Sequence, residues 1–498
     1  MRKTALYLAL LSLACTVARA EEAAPTTAKG WQDYLSLTLS DRMRGELVDW
    51  FEPRPGDAPH NAHHYGFFAN QLRFGVRMEV PHLLFFVEGQ DTRLLGLPNQ
   101  GSPPVSKVGN LGPGAIYYAN THDPNQGEVF LKEGYFTLRD LPSLTGVSLT
   151  GGRFEYSDGL ETIPKDAALA WLKRARIGER LVGPFSYTHV TRSFDGVRGV
   201  YDNPDFNVTL IGTRPTDGGF EVSANRELDA WLAGLAFTLK QIENFVPVDA
   251  RAFYLYYRDN RDQAVKVDNR SLSTIANNSP AKDTDPISIH TIGTHAITVV
   301  DAGPGKVDGL VWAAMQWGDW GKLEHLAWAY AVETGYQFPQ LFAAPWLRAG
   351  YNRSSGDDNP NDQTHETFFQ LLPTARIYAQ FPFYNMMNTE DLFGQLVLRP
   401  HQIVTIRTDY HWLRLTNATD LWYSGGGATN DTFFGFAGLK PGGHHELAHL
   451  VDVAMTFALL KQLSAYAYYG RAFGQSVVGN SFGGRDANYG YVEVTLRY

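Results

Sequence analysis

Tyr491-Val492-Glu493-Val494-Thr495-Leu496-Arg497-Tyr498, the last eight residues of the chain, alternate apolar and polar side chains up to a terminal aromatic. Strand side chains point to opposite faces with a period of 2, so Val492, Val494, Leu496 and Tyr498 share one face and Glu493, Thr495 and Arg497 the other. The pattern recurs near the other end of the chain. In Leu72-Arg73-Phe74-Gly75-Val76-Arg77-Met78-Glu79-Val80 the apolar residues hold every even position, and Arg73, Arg77 and Glu79 stand among the odd ones. Segment 35–51 sets Ser36, Thr38, Ser40, Arg42, Arg44 and Glu46 against Leu35, Leu37, Leu39, Met43 and Leu47. Arg or Lys on a lipid-facing position costs roughly 2 to 4 kcal/mol at the bilayer midplane and little near the interfaces. The charged face therefore looks into a lumen or lies at a rim, as in a transmembrane β-barrel.

The N-terminus carries an export signal: Arg2 and Lys3, an apolar run from Ala5 to Ala14, then Ala18-Arg19-Ala20 as a small-x-small cleavage site. The division expected is 1–20 signal peptide, 21–34 periplasmic leader and 35–498 barrel. The sole cysteine, Cys15, falls in the signal, and Ser12 stands where a lipoprotein signal needs an aliphatic residue. Loss of Arg2, Lys3 and Arg19 takes the formal charge from −9 to −12, which argues against a nucleic-acid partner. The 25 Tyr, 29 Phe and 11 Trp residues fit the aromatic girdles of a barrel.

Eighteen strand segments are expected, at 35–51, 66–80, 82–91, 128–139, 146–155, 185–201, 206–215, 231–243, 249–260, 290–300, 307–320, 323–338, 345–355, 391–399, 402–415, 444–459, 460–472 and 487–498. Breaker chemistry marks short turns at Pro81-His82, Asp202 to Asp205, Asp301 to Gly305 and Arg399-Pro400. Long connections at 92–127, 156–184, 261–289, 356–390, 416–443 and 473–486 are dense in Gly, Asn, Asp and Pro. The fold class is all-β: a transmembrane antiparallel up-and-down barrel of about 18 strands, with long extracellular loops and short periplasmic turns. An even strand count puts both chain ends in the periplasm. A short helix is expected within Ala167 to Arg176. Segment 356–390 is too apolar for a free loop, with Phe368, Phe369, Leu371, Leu372, Phe381, Phe383, Tyr384, Met386 and Met387, and is expected to fold inward as a lid or partial plug.

Five segments, in order, resemble the alginate export family of outer-membrane proteins: Arg42-Met43-Arg44-Gly45-Glu46, Leu131-Lys132-Glu133 to Asp140, Gly152-Arg153-Phe154-Glu155-Tyr156, Phe194-Asp195-Gly196-Val197-Arg198 and Ser355-Gly356-Asp357-Asp358-Asn359-Pro360-Asn361-Asp362. The resemblance covers about 35–498, through Asp409-Tyr410-His411 and His445-Glu446-Leu447. It implies a monomeric eighteen-stranded channel for an anionic polysaccharide such as alginate, lined by cations among some acids. Lys132, Glu133, Arg153 and Arg198 carry over by motif position, and strand alternation adds Arg42, Arg44, Arg73 and Arg77. A row of fixed cations passes a polyuronate along when each site binds weakly enough to release it, and the arginine fork meets a carboxylate in a bidentate way. The competing reading pairs these charges with Glu46, Glu79, Glu133 or Asp195 as internal structure. A general or small-solute porin is the alternative function. The partners expected are the anionic polysaccharide or a small anionic solute, outer-membrane lipid and periplasmic export partners.

Two motifs suggest metal chemistry. His445-Glu446-Leu447-Ala448-His449 matches H-E-x-x-H, which needs a helix to bring its histidines together. The surrounding alternation makes it a strand, and ~3.3 Å per residue separates the two rings by about 13 Å, too far for one zinc ion. Asp357, Asp358 and Asp362 offer oxygen ligands to calcium without EF-hand spacing, and a solvated Asx turn is the simpler reading. No nucleophile–base constellation stands out, so neither an enzyme nor a cofactor is expected.

Overall fold

The computed structural model describes residues 31–240, 248–261, 266–270, 283, 285–372, 380–424 and 438–498. The expected signal segment and the leader up to residue 30 lie outside the described residues. Eighteen antiparallel strands form the wall: β1 (Leu35–Asp49), β2 (His64–Val80), β3 (Leu83–Leu95), β4 (Asn125–Arg139), β5 (Val147–Phe154), β6 (Phe194–Asp202), β7 (Phe206–Pro215), β8 (Ala230–Leu239), β9 (Val248–Asp259), β10 (Ile287–Ala302), β11 (Gly305–Trp320), β12 (Leu323–Gln337), β13 (Trp346–Ser354), β14 (Thr389–His401), β15 (Val404–Leu415), β16 (Glu446–Ala458), β17 (Leu463–Gly474) and β18 (Asp486–Arg497). Each pairs with its sequence neighbours, and β1 closes on β18 from Ser40 opposite Arg497 to Asp49 opposite Asn488. Closure leaves no strand edge for lipid to meet, which is what a sheet needs in a solvent that cannot hydrogen-bond.

The alternation in the sequence becomes the two faces of the wall. Leu37, Phe74, Val129, Val197, Val311, Val332 and Val492 are exposed on the outside, while Arg44, Glu46, Gln71, Gln90, Thr92 and Glu333 are buried toward the lumen. In β4 the phase reverses. Val129 and Leu131 are exposed before the reversal, Phe136 and Leu138 after it. The cause is a β-bulge: Glu88 pairs with Glu133 and Gly89 with Leu131, leaving Lys132 as the extra residue. A bulge turns two successive side chains, here Lys132 and Glu133, toward the same side.

Two expectations are corrected. Residues 185–193, expected to begin a strand at 185, leave the wall, and β6 starts at Phe194. Phe185 and Thr191 adopt left-handed φ of 60° and 62°, and the Thr188 N–H turns back to the Phe185 carbonyl at 3.1 Å. The expected turn at Arg399-Pro400 falls instead at Gln402-Ile403, because β14 continues to His401 across a register irregularity between Leu398 and His401. Such an irregularity is where a proline, which lacks the ladder N–H, is accommodated. The very short outer connection between β11 and β12 is Gly321-Lys322, made possible by Gly321 at φ 63°.

Candidate functional site

Residues 155–193, between β5 and β6, fold into the barrel and cross from one side of its wall to the other. Asp166 caps the short helix Ala167–Leu172, its carboxylate accepting the N–H groups of Ala168 and Leu169 at 2.9 Å each. The helix and the turn after it aim a run of buried cations at acids on β9 and β12. Lys173 Nζ meets both Asp249 oxygens at 2.8 and 2.7 Å, and His295 Nε2 lies 3.2 Å from the same carboxylate. Arg176 forms a bidentate pair with Glu333 at 2.8 Å to each oxygen, Arg180 joins at 3.2 Å, and Arg348 of the wall reaches Glu333 and Asp308 at 3.1 Å each. Arg251 on β9 holds Asp158 and Glu161 at 2.6 Å each.

On the opposite side, β1 to β4 donate to the main-chain carbonyls of the same segment. Arg42 takes the Ser186 carbonyl at 2.7 Å and also that of Thr188. Gln71, Gln90 and Thr92 converge on the His189 carbonyl at 2.8, 3.0 and 3.1 Å. Lys132 Nζ takes the Arg192 carbonyl at 2.6 Å. Glu155, at the start of the segment, is gripped by Arg73 at 3.1 Å and Lys132 at 3.0 Å.

The described parts of the segment between β13 and β14, residues 355–372 and 380–388, close over this bridge. Phe368, Phe369, Leu371, Leu372, Met386 and Met387 are all buried, and Leu372 pairs in parallel with Val182. Its N–H donates to the Leu181 carbonyl and its carbonyl accepts the Gly183 N–H, each at 2.7 Å. A β-like seam thus joins the two inward segments inside the barrel.

Of the eight expected path residues, Arg42, Arg44, Arg73, Arg77, Lys132, Glu133 and Arg198 lie on the lumen side. Arg44 pairs with Glu493 at 2.7 Å and Glu46 at 3.3 Å, its guanidinium 5.0 Å from the Tyr187 ring centroid and 4.4 Å from that of Tyr491. Arg77 sits 3.0 Å from Glu79 at the periplasmic end of β2, where Arg139 joins the same carboxylate. Arg198 differs from these. It lines a cavity of about 500 Å³ with Glu155, Tyr156, Glu161, Val200 and Thr209, lies 5.3 Å from the Phe154 ring centroid, and has no carboxylate at ion-pair distance among the described residues.

Arg153 is a correction. Its register partners are Gly134 and Asp195, and Leu149 and Val197, on the same face, are exposed apolar residues. Arg153 therefore points outward, paired in a bidentate way with Asp195 at 2.7 and 2.6 Å and bonded to Asn225 at 2.7 Å. It lies at the loop end of a short strand, where the lipid penalty on charge has fallen. Arg153→Ala is expected to leave the reversal potential in a salt gradient at the wild-type value, and a shift as large as that of a lumen arginine would contradict the outward placement.

The metal motifs resolve into separate contacts. His445 Nδ1 lies 2.9 Å from the Leu415 carbonyl, and His449 Nδ1 lies 2.8 Å from the Tyr410 hydroxyl. Asp409, His411 and Asp452 bring ligand atoms within 4.8 Å of one another, but Arg407 lies 2.8 Å from Asp409, Asp391 2.9 Å from His411, and the Tyr468 hydroxyl 3.2 Å from Asp452. Of the calcium candidates, Asp357 and Asp358 come together with Glu366. Asp362 is instead used locally, accepting the Thr364 N–H at 3.0 Å.

A comparison with curated proteins finds no match. Among solved structures the chain is similar to OccAB2 of Acinetobacter baumannii, at 10% identity over 94% of this chain and 99% of that one, with a TM-score of 0.57. It is likewise similar to a BenF-like porin from Pseudomonas fluorescens Pf-5, at 8% over 94% and 100%, TM-score 0.56. A third is OpdK of Pseudomonas aeruginosa, solved with vanillate, at 7% over 93% and 98%, TM-score 0.53. At these identities the likeness is one of fold, that of outer-membrane porins. A family model described as alginate export matches residues 33–479. That match runs from just ahead of β1 to the loop before β18, most of the chain, and the chain belongs to the alginate export family of outer-membrane channels.

Proposed function

We propose that the barrel conducts an anionic polysaccharide of the polyuronate type along the lumen face of β1 to β6, with residues 155–193, 355–372 and 380–388 as its gate. The observation that carries this reading is the row Arg42, Arg44, Arg73, Lys132 and Arg198, with Arg198 facing a cavity of about 500 Å³ and holding no carboxylate of its own among the described residues. The other cations of the row have acids beside them, such as Glu493 and Glu155. A cargo carboxylate would exchange with these fixed partners, so each site holds it weakly enough to let it move on. Export to the membrane would follow cleavage of the signal segment near Glu21.

A second reading, passage of small anionic solutes, is favoured by the size of the same cavity, which suits one sugar or aromatic acid. Purified protein in a planar bilayer separates the two. Anion-selective current blocked by polyuronate at concentrations where monomeric uronate has no effect, with Arg198→Ala weakening the block at least about fivefold, a loss of ~1 kcal/mol, supports the polymer. Equal block by the monomer favours the small-solute porin. Cation-selective current untouched by either ligand overturns both.

A further inference from the structure

We propose that Asp357, Asp358 and Glu366, at the outer end of the segment between β13 and β14, form a calcium site that clamps the base of the inward plug. One oxygen from each lies within 4.8 Å of the others. Acidic loops are common, and what distinguishes this one is Asp357, which is 1% exposed. Its Oδ1 accepts the Asn359 N–H at 2.9 Å, while its Oδ2 is buried with no hydrogen-bond partner. A buried bare carboxylate oxygen is expensive unless a donor or a cation meets it. No Lys, Arg or His among the described residues stands within ion-pair distance of any of the three acids.

The surroundings offer further oxygen atoms. Asn269 donates to the Asp357 carbonyl at 3.3 Å, and its Oδ1 is a second buried acceptor with no partner. Asp420 is also buried beside the site but is fully used, by the Asp357 N–H at 3.1 Å, Thr367 at 2.6 Å, the Leu421 N–H at 2.7 Å and the Tyr423 hydroxyl at 2.8 Å. It therefore braces the loop and is not counted as a ligand. An oxygen-only set of three carboxylates on an irregular loop suits calcium, which accepts six to eight oxygens in flexible geometry, better than magnesium or an imidazole-seeking transition metal.

The location gives the ion a mechanical role. The Thr419 hydroxyl of the β15–β16 loop contacts the Asp357 and Asp358 carbonyls at 3.0 and 2.9 Å, and Asn269 belongs to the β9–β10 loop. Two residues after Glu366 the chain enters the buried run Phe368 to Leu372 that meets the inward bridge. An ion here would tie three outer loops together at the point where the plug begins.

The test is calorimetric titration of the full-length barrel, stripped with EGTA in detergent, with calcium and then with magnesium. Wild type is expected to bind one calcium with Kd on the order of 10⁻⁴ to 10⁻³ M and to prefer it to magnesium. Asp357→Asn and Glu366→Gln should each weaken binding at least about tenfold, while Asp362→Asn stays within about twofold of wild type, where tenfold is ~1.4 kcal/mol. Heat-dependent gel mobility checks that each variant is folded, and the half-buried Glu366 position keeps the test decisive if Asp357→Asn misfolds. Absence of saturable calcium binding, or wild-type binding by Glu366→Gln, overturns the proposal.

Discussion

Glu333→Gln is expected to release the inward bridge from the wall and to raise single-channel conductance several-fold, with noisy openings in place of a steady level. One carboxylate on β12 serves Arg176, Arg180 and Arg348, all buried. Asp308 still reaches Arg348 at 3.1 Å after the change, so the loss of the Glu333 charge weighs most on the two arginines of the bridge. Removing one partner of a buried ion pair costs about 3 to 5 kcal/mol, most of it the penalty of leaving charge unpaired. The wall itself keeps its full hydrogen-bond ladder, so the strain is relieved by the loop and the barrel stays folded. Protease sensitivity between residues 160 and 185 should rise with the conductance. Lys173→Met combined with Asp249→Asn should do much less, because it removes both members of a pair together. Unchanged conductance in Glu333→Gln would mean that the carbonyl contacts of β1 to β4 suffice to hold the bridge.

The wall was legible because lipid and lumen impose opposite chemistry on alternate residues, and a charge such as Arg73 beside Phe74 leaves one arrangement open. The rule binds less tightly where lipid no longer decides. Arg153 was placed in the lumen by motif position, although it shares the odd positions of its strand with Val147 and Leu149; near a rim an outward arginine costs little, and its face follows from the register with Gly134 and Asp195. Residues 185–193 also alternate, yet their carbonyls are taken by side chains of β1 to β4, a competition that no local pattern reveals. The bridge was hidden for another reason. Lys173, Arg176 and Arg180 stand in a connection for which only a short helix within Ala167 to Arg176 is expected, and basic residues on a loop are equally compatible with water. Their acids stand on other strands, Glu333 more than 150 positions from Arg180, and only closure of the sheet brings them into reach. The apolar run from Phe368 to Leu372 was the readable sign of an inward segment, because so many buried-type side chains have no place on a free loop.

Tying the seam between the two inward segments should separate ion flow from polymer passage. Val182 and Leu372 pair directly in parallel, with the Leu372 N–H and carbonyl both engaged by residues 181 and 183. Directly paired backbone positions lie within the Cα separation of roughly 4.4 to 6.8 Å that a disulfide needs. The only native cysteine is Cys15, in the signal segment, so V182C/L372C would form its crosslink without competition. If the seam must part for a chain of linked sugars, oxidised V182C/L372C should carry small-ion current close to that of wild type but lose polyuronate transport across a proteoliposome membrane by at least about tenfold. Dithiothreitol should restore it. Each single-cysteine variant should behave as wild type in both states, which assigns the effect to the crosslink and not to lost packing in the buried run. Equal polymer flux in the oxidised and reduced protein would mean that the chain passes beside the seam, along the Arg198 cavity, with the two segments remaining joined. Loss of small-ion current together with polymer flux would mean that the resting channel already depends on motion of the seam, and the two inward segments would then act as the gate for every solute.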